Sequence, residues 1–170
     1  MKKIALLLLL FFTGCTGIPA NVTPVDNFRL DQYLGKWYEI ARLDHSFERG
    51  LSRVTAEYSL REDGAVRVLN RGFSASENLW KEAEGKAYFM HTPEQGYLKV
   101  SFFGPFYGSY IIFELDPAGY QYALVCGPDH SYLWILARTP QIDRTLLDSL
   151  VAKATASGFD TNKLIFVSQE

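Results

Sequence analysis

The chain has 170 residues, enough for one domain with a sizeable core, and a formal net charge of −2 at pH 7. Its 17 Lys and Arg residues form no basic run, which argues against a nucleic-acid-binding protein. Aromatic residues make up 15% of the chain, with 10 Tyr and 12 Phe. This share favours an all-β protein with large cross-strand side chains or an apolar cavity.

Residues 1–14 are typical of a signal peptide. Lys2 and Lys3 precede an apolar run at residues 4–12, and two small residues then lead to Cys15. The run is too short to cross a bilayer comfortably, so we expect a cleaved signal rather than an anchor. A Cys in this place resembles the lipobox of bacterial lipoproteins, which implies that Cys15 becomes an N-palmitoyl, S-diacylglycerol cysteine. The alternative is an ordinary secretory signal followed by a chance Cys.

Residues 15–27 are predicted to be the lipidated Cys and a flexible tether, because they contain Gly and Pro and show no periodicity. Thr16 stands where lipoproteins retained in the inner membrane of enteric bacteria usually have Asp. The resemblance therefore implies a lipid anchor in the outer membrane, with the protein on the periplasmic face. If Cys15 is acylated, Cys126 has no partner for an intramolecular disulfide, and we expect it to be a buried small hydrophobe.

The ordered part of the chain is predicted to begin with a short helical turn at 28–34. The first strand then runs from Gly35 to about Leu43, with Trp37, Glu39 and Ala41 on one face. Alternating apolar residues and tight turns continue down the chain. The other seven predicted barrel strands lie at about 53–60, 66–70, 80–90, 97–103, 110–115, 120–126 and 132–138.

The spacing of these strands predicts an antiparallel meander. The connections are short turns, such as Asp63-Gly64, and leave no room for the helices that parallel crossovers need. Eight such strands can close a barrel with space for one small ligand. Residues 143–157 show the apolar stripe of a helix, and residues 163–168 form a ninth strand. We therefore predict an all-β domain at 28–170: an eight-stranded antiparallel up-and-down β-barrel with one C-terminal α-helix packed outside and a short ninth strand.

The motifs at the two ends of this meander resemble those of the lipocalin family. Gly35-x-Trp37 matches the first lipocalin signature, and Arg138 matches the arginine of the third. The Thr-Asp-Tyr of the second signature is absent from residues 120–130. The resemblance implies that Arg138 packs across Trp37 at a closed end of the barrel. Such a cation–π contact is worth about 0.5–2 kcal/mol, and its role is structural.

Two further runs, at 104–108 and 124–136, look like the bacterial outer-membrane branch of that family, which is related to apolipoprotein D. The resemblance implies a carrier of small hydrophobic molecules and, for this branch, of fatty acids or lysophospholipids in envelope maintenance or stress. An apolar cavity would gain about 0.8 kcal/mol for each methylene of an acyl chain taken out of water. We expect no cofactor and no metal, and the sequence leaves open a homodimer through an exposed aromatic patch.

The inward faces of the predicted strands give a candidate ligand pocket. Small residues at 83, 85 and 87 favour an open cavity over a filled barrel. Four polar candidates, Glu39, Tyr58, Asn70 and Tyr110, are expected near the open end, where a head group would lie. The predicted pocket residues are Glu39, Ala41, Tyr58, Val68, Asn70, Ala87, Phe89, Val100, Phe102 and Tyr110.

Three other functions compete with a carrier. A lipid hydrolase or transferase would need a catalytic triad, but the Asp-His-Ser triplets at 44–46 and 129–131 consist of adjacent residues that point apart. Because Gly-x-Ser-x-Gly is absent as well, we predict no catalytic residues. A haem protein would need an iron ligand, and no His or Met is expected on an inward face. The third alternative is a structural envelope lipoprotein with a filled barrel.

Overall fold

The computed structural model describes residues 16–170; the predicted signal peptide at 1–14 and the predicted lipidation site Cys15 lie outside the described residues. Among the described residues, no helix is both long and apolar enough to cross a membrane. The elements are α1 (Leu30–Tyr33), β1 (Gly35–Arg42), β2 (Leu51–Leu60), β3 (Val66–Ser74), β4 (Leu79–Phe89), β5 (Tyr97–Phe103), β6 (Phe106–Leu115), β7 (Tyr122–Cys126), β8 (Leu133–Ala137), α2 (Arg144–Ala156), a 3-10 turn (Thr161–Lys163) and β9 (Ile165–Phe166).

The first eight strands form a closed barrel. Each pairs antiparallel with the next along the chain, and β1 pairs with both β2 and β8. The tight turn at Asp63-Gly64 shows how short connections suffice: Gly64 has φ +80°, and its N–H donates to the Arg61 carbonyl oxygen at 3.0 Å. Strand β9 pairs with β1. The prediction of an eight-stranded antiparallel barrel with a ninth strand is confirmed.

The connections of such a meander lie alternately at the two ends of the barrel. One end, which we call the open end, carries the connections at 43–50, 75–78, 104–105 and 127–132. The other, which we call the closed end, carries α1 and the connections at 61–65, 90–96 and 116–121.

The closed end is plugged by Trp37, which has no exposed surface. Its indole Nε1 donates to the Tyr33 carbonyl oxygen at 2.8 Å. The Arg138 guanidinium lies 3.9 Å from the centre of the Trp37 ring and donates to the carbonyl oxygens of Lys36 at 2.9 Å and Tyr33 at 3.1 Å. Gly35 has φ +94°, a conformation that favours glycine. Gly35, Trp37 and Arg138 therefore lie together in one structural cluster.

Strand β1 changes face halfway along its length. Its register with β8 shifts between Glu39 and Ala41, so the strand contains a β-bulge. Glu39 pairs with Leu136 and Arg42 pairs with Trp134 on the inner face of the barrel. Ala41 is instead fully buried on the outside of the barrel, in the same cluster as the helix residues Leu150 and Ala154. The prediction that Ala41 lines the pocket is therefore wrong, because it assumed an unbroken alternation of faces.

Helix α2 packs against the outside of the barrel, as predicted. Asp143 caps its first turn by accepting from the backbone N–H groups of Thr145 and Leu146 at 2.8 and 3.3 Å. Leu150 and Ala154 are buried against the outward side chains of the barrel strands. This outer core is distinct from the inner core inside the barrel.

The segment before α1 runs along the outside of the barrel instead of leaving it. The Val25 N–H donates to the Ile112 carbonyl oxygen at 2.9 Å. Farther along, the Ser109 hydroxyl donates to the Gly17 carbonyl oxygen at 2.6 Å. The sequence led us to expect a flexible tether over residues 15–27, but these contacts fasten its described part to β6.

Candidate functional site

The barrel encloses a cavity of about 330 Å³ that opens at the open end. Its walls are mainly apolar and include Val54, Val68 and Leu136. Its mouth is formed by Phe47 and by residues 127–129 of the connection between β7 and β8. The volume lies within the range of about 300–1,000 Å³ that is usual for small-molecule sites.

Most of the predicted pocket residues line this cavity, but Ala87 and Phe89 do not. Both pack in the inner core, at the level of the closed end. Ala87 borders a separate, smaller void next to Phe28, and the Phe89 ring lies 6.0 Å from that of Phe28. Their prediction as pocket residues is wrong because alternation fixes the face of a side chain but not its height in the barrel. The predicted residues that line the cavity are Glu39, Tyr58, Val68, Asn70, Val100, Phe102 and Tyr110.

Tyr58 and Tyr110 line the cavity, and their hydroxyl groups form a network with that of Tyr33, which borders the smaller void; we call this network the tyrosine floor. The Tyr110 hydroxyl lies 2.6 Å from that of Tyr58 and 2.7 Å from that of Tyr33, so each has a hydrogen-bond partner. Burial raises the pKa of all three hydroxyls above the usual tyrosine range. The floor is therefore polar but uncharged, and it separates the cavity from the Trp37 cluster.

One wall of the cavity carries a buried ionic cluster built around Arg42, which is 1% exposed. Its Nη1 donates to Glu39 Oε1 at 2.6 Å, and its Nη2 donates to the carbonyl oxygens of Glu48 at 2.8 Å and Leu51 at 3.3 Å. The Trp134 indole donates to Glu48 Oε2 at 3.0 Å. Arg42 thus links the inner face of β1 to the loop that carries Glu48.

The charges in this cluster are unbalanced, because two carboxyl groups share one guanidinium. Burial raises the pKa of Glu39 well above its usual value; the charge of Glu48 raises it further, and Arg42 opposes both effects. Burial also raises the pKa of Glu48, against the hydrogen bond from Trp134 and the charge of Arg42. Protonation of either carboxyl group therefore changes the pKa of the other.

Arg42 and Glu48 were not among the residues predicted from the sequence. Glu39 and Arg42 are three residues apart, so a regular strand would point their side chains to opposite faces. Only the bulge between them brings both inside. Glu48 lies in a loop, where no periodicity reports the direction of a side chain.

An aromatic group lies beside the ionic cluster at the mouth. The His45 ring stacks on Phe47 with centroids 4.0 Å apart and lies 5.0 Å from Trp134, which in turn stacks with Tyr132 at 6.3 Å. His45 Nε2 lies 3.2 Å from Glu48 Oε2. Burial, followed by repulsion from Arg42, lowers the pKa of His45 to about 4. His45 is therefore neutral at pH 7 in the folded protein.

This lowered pKa predicts a loss of stability in acid that His45→Phe should remove. The unfolded chain binds a proton at His45 below about pH 6.5, whereas the folded protein does so only near pH 4. By pH 4 the natural protein should have lost about 2–3 kcal/mol of stability relative to the variant, because one unit of pKa difference is worth about 1.4 kcal/mol. Urea unfolding at pH 7, 5.5 and 4 measures this difference, and parallel pH curves would contradict it.

A side groove of about 440 Å³ lies beside the cavity near the open end. Strands β4 and β5 pair only from Lys86 and Ser101 to Phe89 and Leu98, so the first half of β4 separates from β5. Among the residues common to the groove and the cavity is Phe102. The groove thus provides a lateral opening in the barrel wall.

The two Asp-His-Ser triplets do not form catalytic triads. Asp44 accepts from Arg49 at 2.7 Å instead of from His45. In the second triplet, His130 Nε2 lies 3.0 Å from the Ser157 carbonyl oxygen, and Asp129 accepts from the backbone of Ser131. Within residues 16–170, no three His, Cys, Asp or Glu side chains are grouped as metal ligands.

Comparisons with known proteins agree on one family. The model of the "Lipocalin-like domain" matches residues 28–169. The chain is 58% identical to "Outer membrane lipoprotein Blc" of Vibrio cholerae, over 100% of both chains, and 55% identical to the protein of that name from Escherichia coli K12, over 89% of this chain and 85% of the relative. Insecticyanin from the tobacco hornworm has the same fold, with a TM-score of 0.68 and 24% identity over 89% of this chain and 86% of its own.

Proposed function

The chain belongs to the lipocalin family, and from that membership we propose that its barrel binds a single-chain lipid, a fatty acid or a lysophospholipid, in envelope maintenance or stress. The observation that carries the proposal is the apolar cavity of about 330 Å³ with acidic groups on one wall. An acyl chain in this cavity would gain about 0.8 kcal/mol per methylene. The same cavity argues against a structural lipoprotein with a filled barrel.

The polar groups around the cavity favour one class of head group. Three acidic residues line the cavity: Glu39, Glu48 and Asp129. The described residues that line the cavity include no Lys and no Arg. Tyr132 and Trp134 add aromatic faces beside Glu48, and such faces attract ammonium groups. We therefore propose that a lysophospholipid with an ammonium head group binds more tightly than a fatty acid, whose carboxylate would find no Lys or Arg among the described residues that line the cavity.

Native mass spectrometry of the Cys15→Ser protein tests this proposal. The probes are lysophosphatidylethanolamine, lysophosphatidylglycerol and a fatty acid of equal chain length, with a neutral sterol as control. We expect one saturable acyl-lipid adduct per chain, with the ethanolamine lipid bound best. A folded protein that takes up none of these lipids would contradict the carrier function, and release of free fatty acid from a lysophospholipid would instead support a hydrolase.

Filling the cavity should abolish binding without unfolding the barrel. Ala56 lines the cavity, whereas its neighbour Glu57 on β2 is exposed and faces outward. We expect Ala56→Trp to reduce lipid binding at least tenfold, because an indole would occupy the space of the acyl chain. Glu57→Trp adds a side chain of the same size outside the barrel and should bind normally in a fluorescence titration. Equal loss in both variants would show that the effect is not steric.

The anchor is the second part of the proposed function. Two relatives bear the name outer membrane lipoprotein, and Cys15 stands in a lipobox-like context. We propose that the lipidated protein is held on the periplasmic face of the outer membrane. We expect Cys15→Ser to move the protein to the soluble periplasmic fraction, because a serine at this position cannot receive the lipid. A Cys15→Ser variant that still sediments with the outer membrane would show that Cys15 does not anchor the protein.

A homodimer stays a prediction. On β9, Ile165 and Phe166 are 39% and 59% exposed and could supply an apolar contact between two copies. Sedimentation equilibrium of the Cys15→Ser protein, compared with a Phe166→Ser variant, tests whether this patch associates.

A further inference from the structure

We propose that the open end of the barrel lies in the membrane surface that holds Cys15, so that the cavity mouth faces lipid. This inference rests on the proposed function for the anchor, and it adds an orientation and a contact surface. The partner to which it commits is the interfacial region of a bilayer.

Large apolar side chains are exposed around the open end. Phe47 is 60% exposed in the loop between β1 and β2, and Phe103 and Phe106, which flank the turn between β5 and β6, are 80% and 61% exposed. Aromatic rings of this kind are stabilised at the boundary between head groups and acyl chains. At the closed end, one large hydrophobic side chain of the described residues is exposed, that of Leu60 at 61%.

The described part of the N-terminal segment leads towards the same end. Phe28 donates to the Glu94 carbonyl oxygen at the closed end, and the chain then runs along β6 to Gly17. A Cβ on Gly17 would lie 3.8 Å from the carbonyl oxygen of Pro128, a residue of the cavity mouth. Cys15 is two residues farther, and consecutive Cα atoms are about 3.8 Å apart. Acyl groups on Cys15 would therefore enter the membrane beside the mouth.

The contact is apolar rather than electrostatic. Two basic side chains near the open end have acidic partners: Arg49 pairs with Asp44, and Arg71 pairs with Glu82, at 2.7 and 2.6 Å. Lys81, also near the side groove, pairs with an acidic neighbour as well. Arg53 instead lies over the rings of Phe73 and Trp80, at 4.0 and 5.0 Å. We therefore expect the orientation to persist when the anionic lipid content of the membrane changes.

In this orientation the side groove would be an entry route for a lipid. It opens between β4 and β5 next to Phe103 and Phe106, and it shares lining residues such as Phe102 with the cavity. With the open end in the membrane surface, the groove faces the level of the acyl chains. A single-chain lipid could then pass into the barrel without crossing water.

Site-directed fluorescence in vesicles tests the orientation. The lipidated full chain carrying Phe103→Cys, labelled with an environment-sensitive fluorophore, is reconstituted in phosphatidylethanolamine–phosphatidylglycerol vesicles. Leu60→Cys, at the opposite end, is the matched control. The natural thiol of Cys126 is buried, which raises its pKa to about 12, so it should not compete for the label.

We expect spin-labelled lipids to quench the label at position 103 at least threefold more than the label at position 60, with little change between 10% and 40% anionic lipid. Equal and weak quenching at both positions, or stronger quenching at position 60, would overturn the proposal. Ala75→Cys, in the turn between β3 and β4 at the open end, leaves all three phenylalanines in place and serves if Phe103→Cys does not fold. The quenching measurement needs no bound ligand. The proposed orientation can therefore be wrong while the cavity still binds lipid, and it can be right even if the cavity binds none.

Discussion

Arg42→Met should lower the free energy of unfolding by about 3–5 kcal/mol at pH 7. The substitution removes the guanidinium that pairs with Glu39 and whose charge also acts on Glu48, and both carboxyl groups stay buried. It also removes the two hydrogen bonds that fasten the carbonyl oxygens of Glu48 and Leu51. Urea denaturation of the natural and variant proteins measures the loss.

The pH dependence separates this cause from simple loss of packing. Without Arg42, the pKa of Glu39 should rise further, so the folded state binds a proton that the unfolded chain releases above about pH 4.5. The deficit of Arg42→Met should therefore shrink as the pH falls from 7 towards 4.5. The double variant Glu39→Gln/Arg42→Met removes one of the stranded charges and should recover much of the loss at pH 7. A deficit independent of pH and unrelieved by Glu39→Gln would contradict the proposed cause.

Trp37→Ala is the second substitution with a large expected effect. Removal of a fully buried indole leaves a cavity, at a cost of about 3–5 kcal/mol. Arg138 also loses the ring that it covers, and Tyr33 loses both a neighbouring ring with its centre at 4.8 Å and a hydrogen bond. Thermal and urea unfolding should both show the loss.

Lipid binding by the fraction of Trp37→Ala that stays folded should be nearly unchanged. Trp37 lies on the closed-end side of the tyrosine floor and does not border the cavity. Trp37→Phe is the control, because it keeps an aromatic ring under Arg138 and should cost less stability. An unchanged melting temperature with abolished lipid binding would contradict the structural role of Trp37.

The sequence predicted the barrel well because strand alternation and turn residues are local signals. Turns such as Asp63-Gly64 mark where strands end, and the apolar stripe of residues 144–156 indicates the helix at Arg144–Ala156. The pairing of Trp37 with Arg138 is long-range, and only the family resemblance suggested it.

The candidate site was harder to predict because its charged residues depend on two local irregularities. The bulge in β1 moves Ala41 outward and Arg42 inward, and a single sequence carries no mark of that extra residue. Glu48 reaches the cavity from a loop. In the N-terminal segment, Val22 and Pro24 are buried against the barrel although they belong to no periodic pattern.

The central claim, that the acyl chain of a lipid lies inside the barrel, is tested most directly by photocrosslinking. A lysophosphatidylethanolamine with a diazirine near the end of its acyl chain is bound to the lipidated full chain, irradiated and mapped by peptide mass spectrometry. We expect adducts on residues that line the lower cavity, such as Tyr58, Val68 and Leu136. Adducts confined to outward residues, such as Ile165 and Phe166 on β9, would show that the lipid binds outside the barrel and would contradict the account.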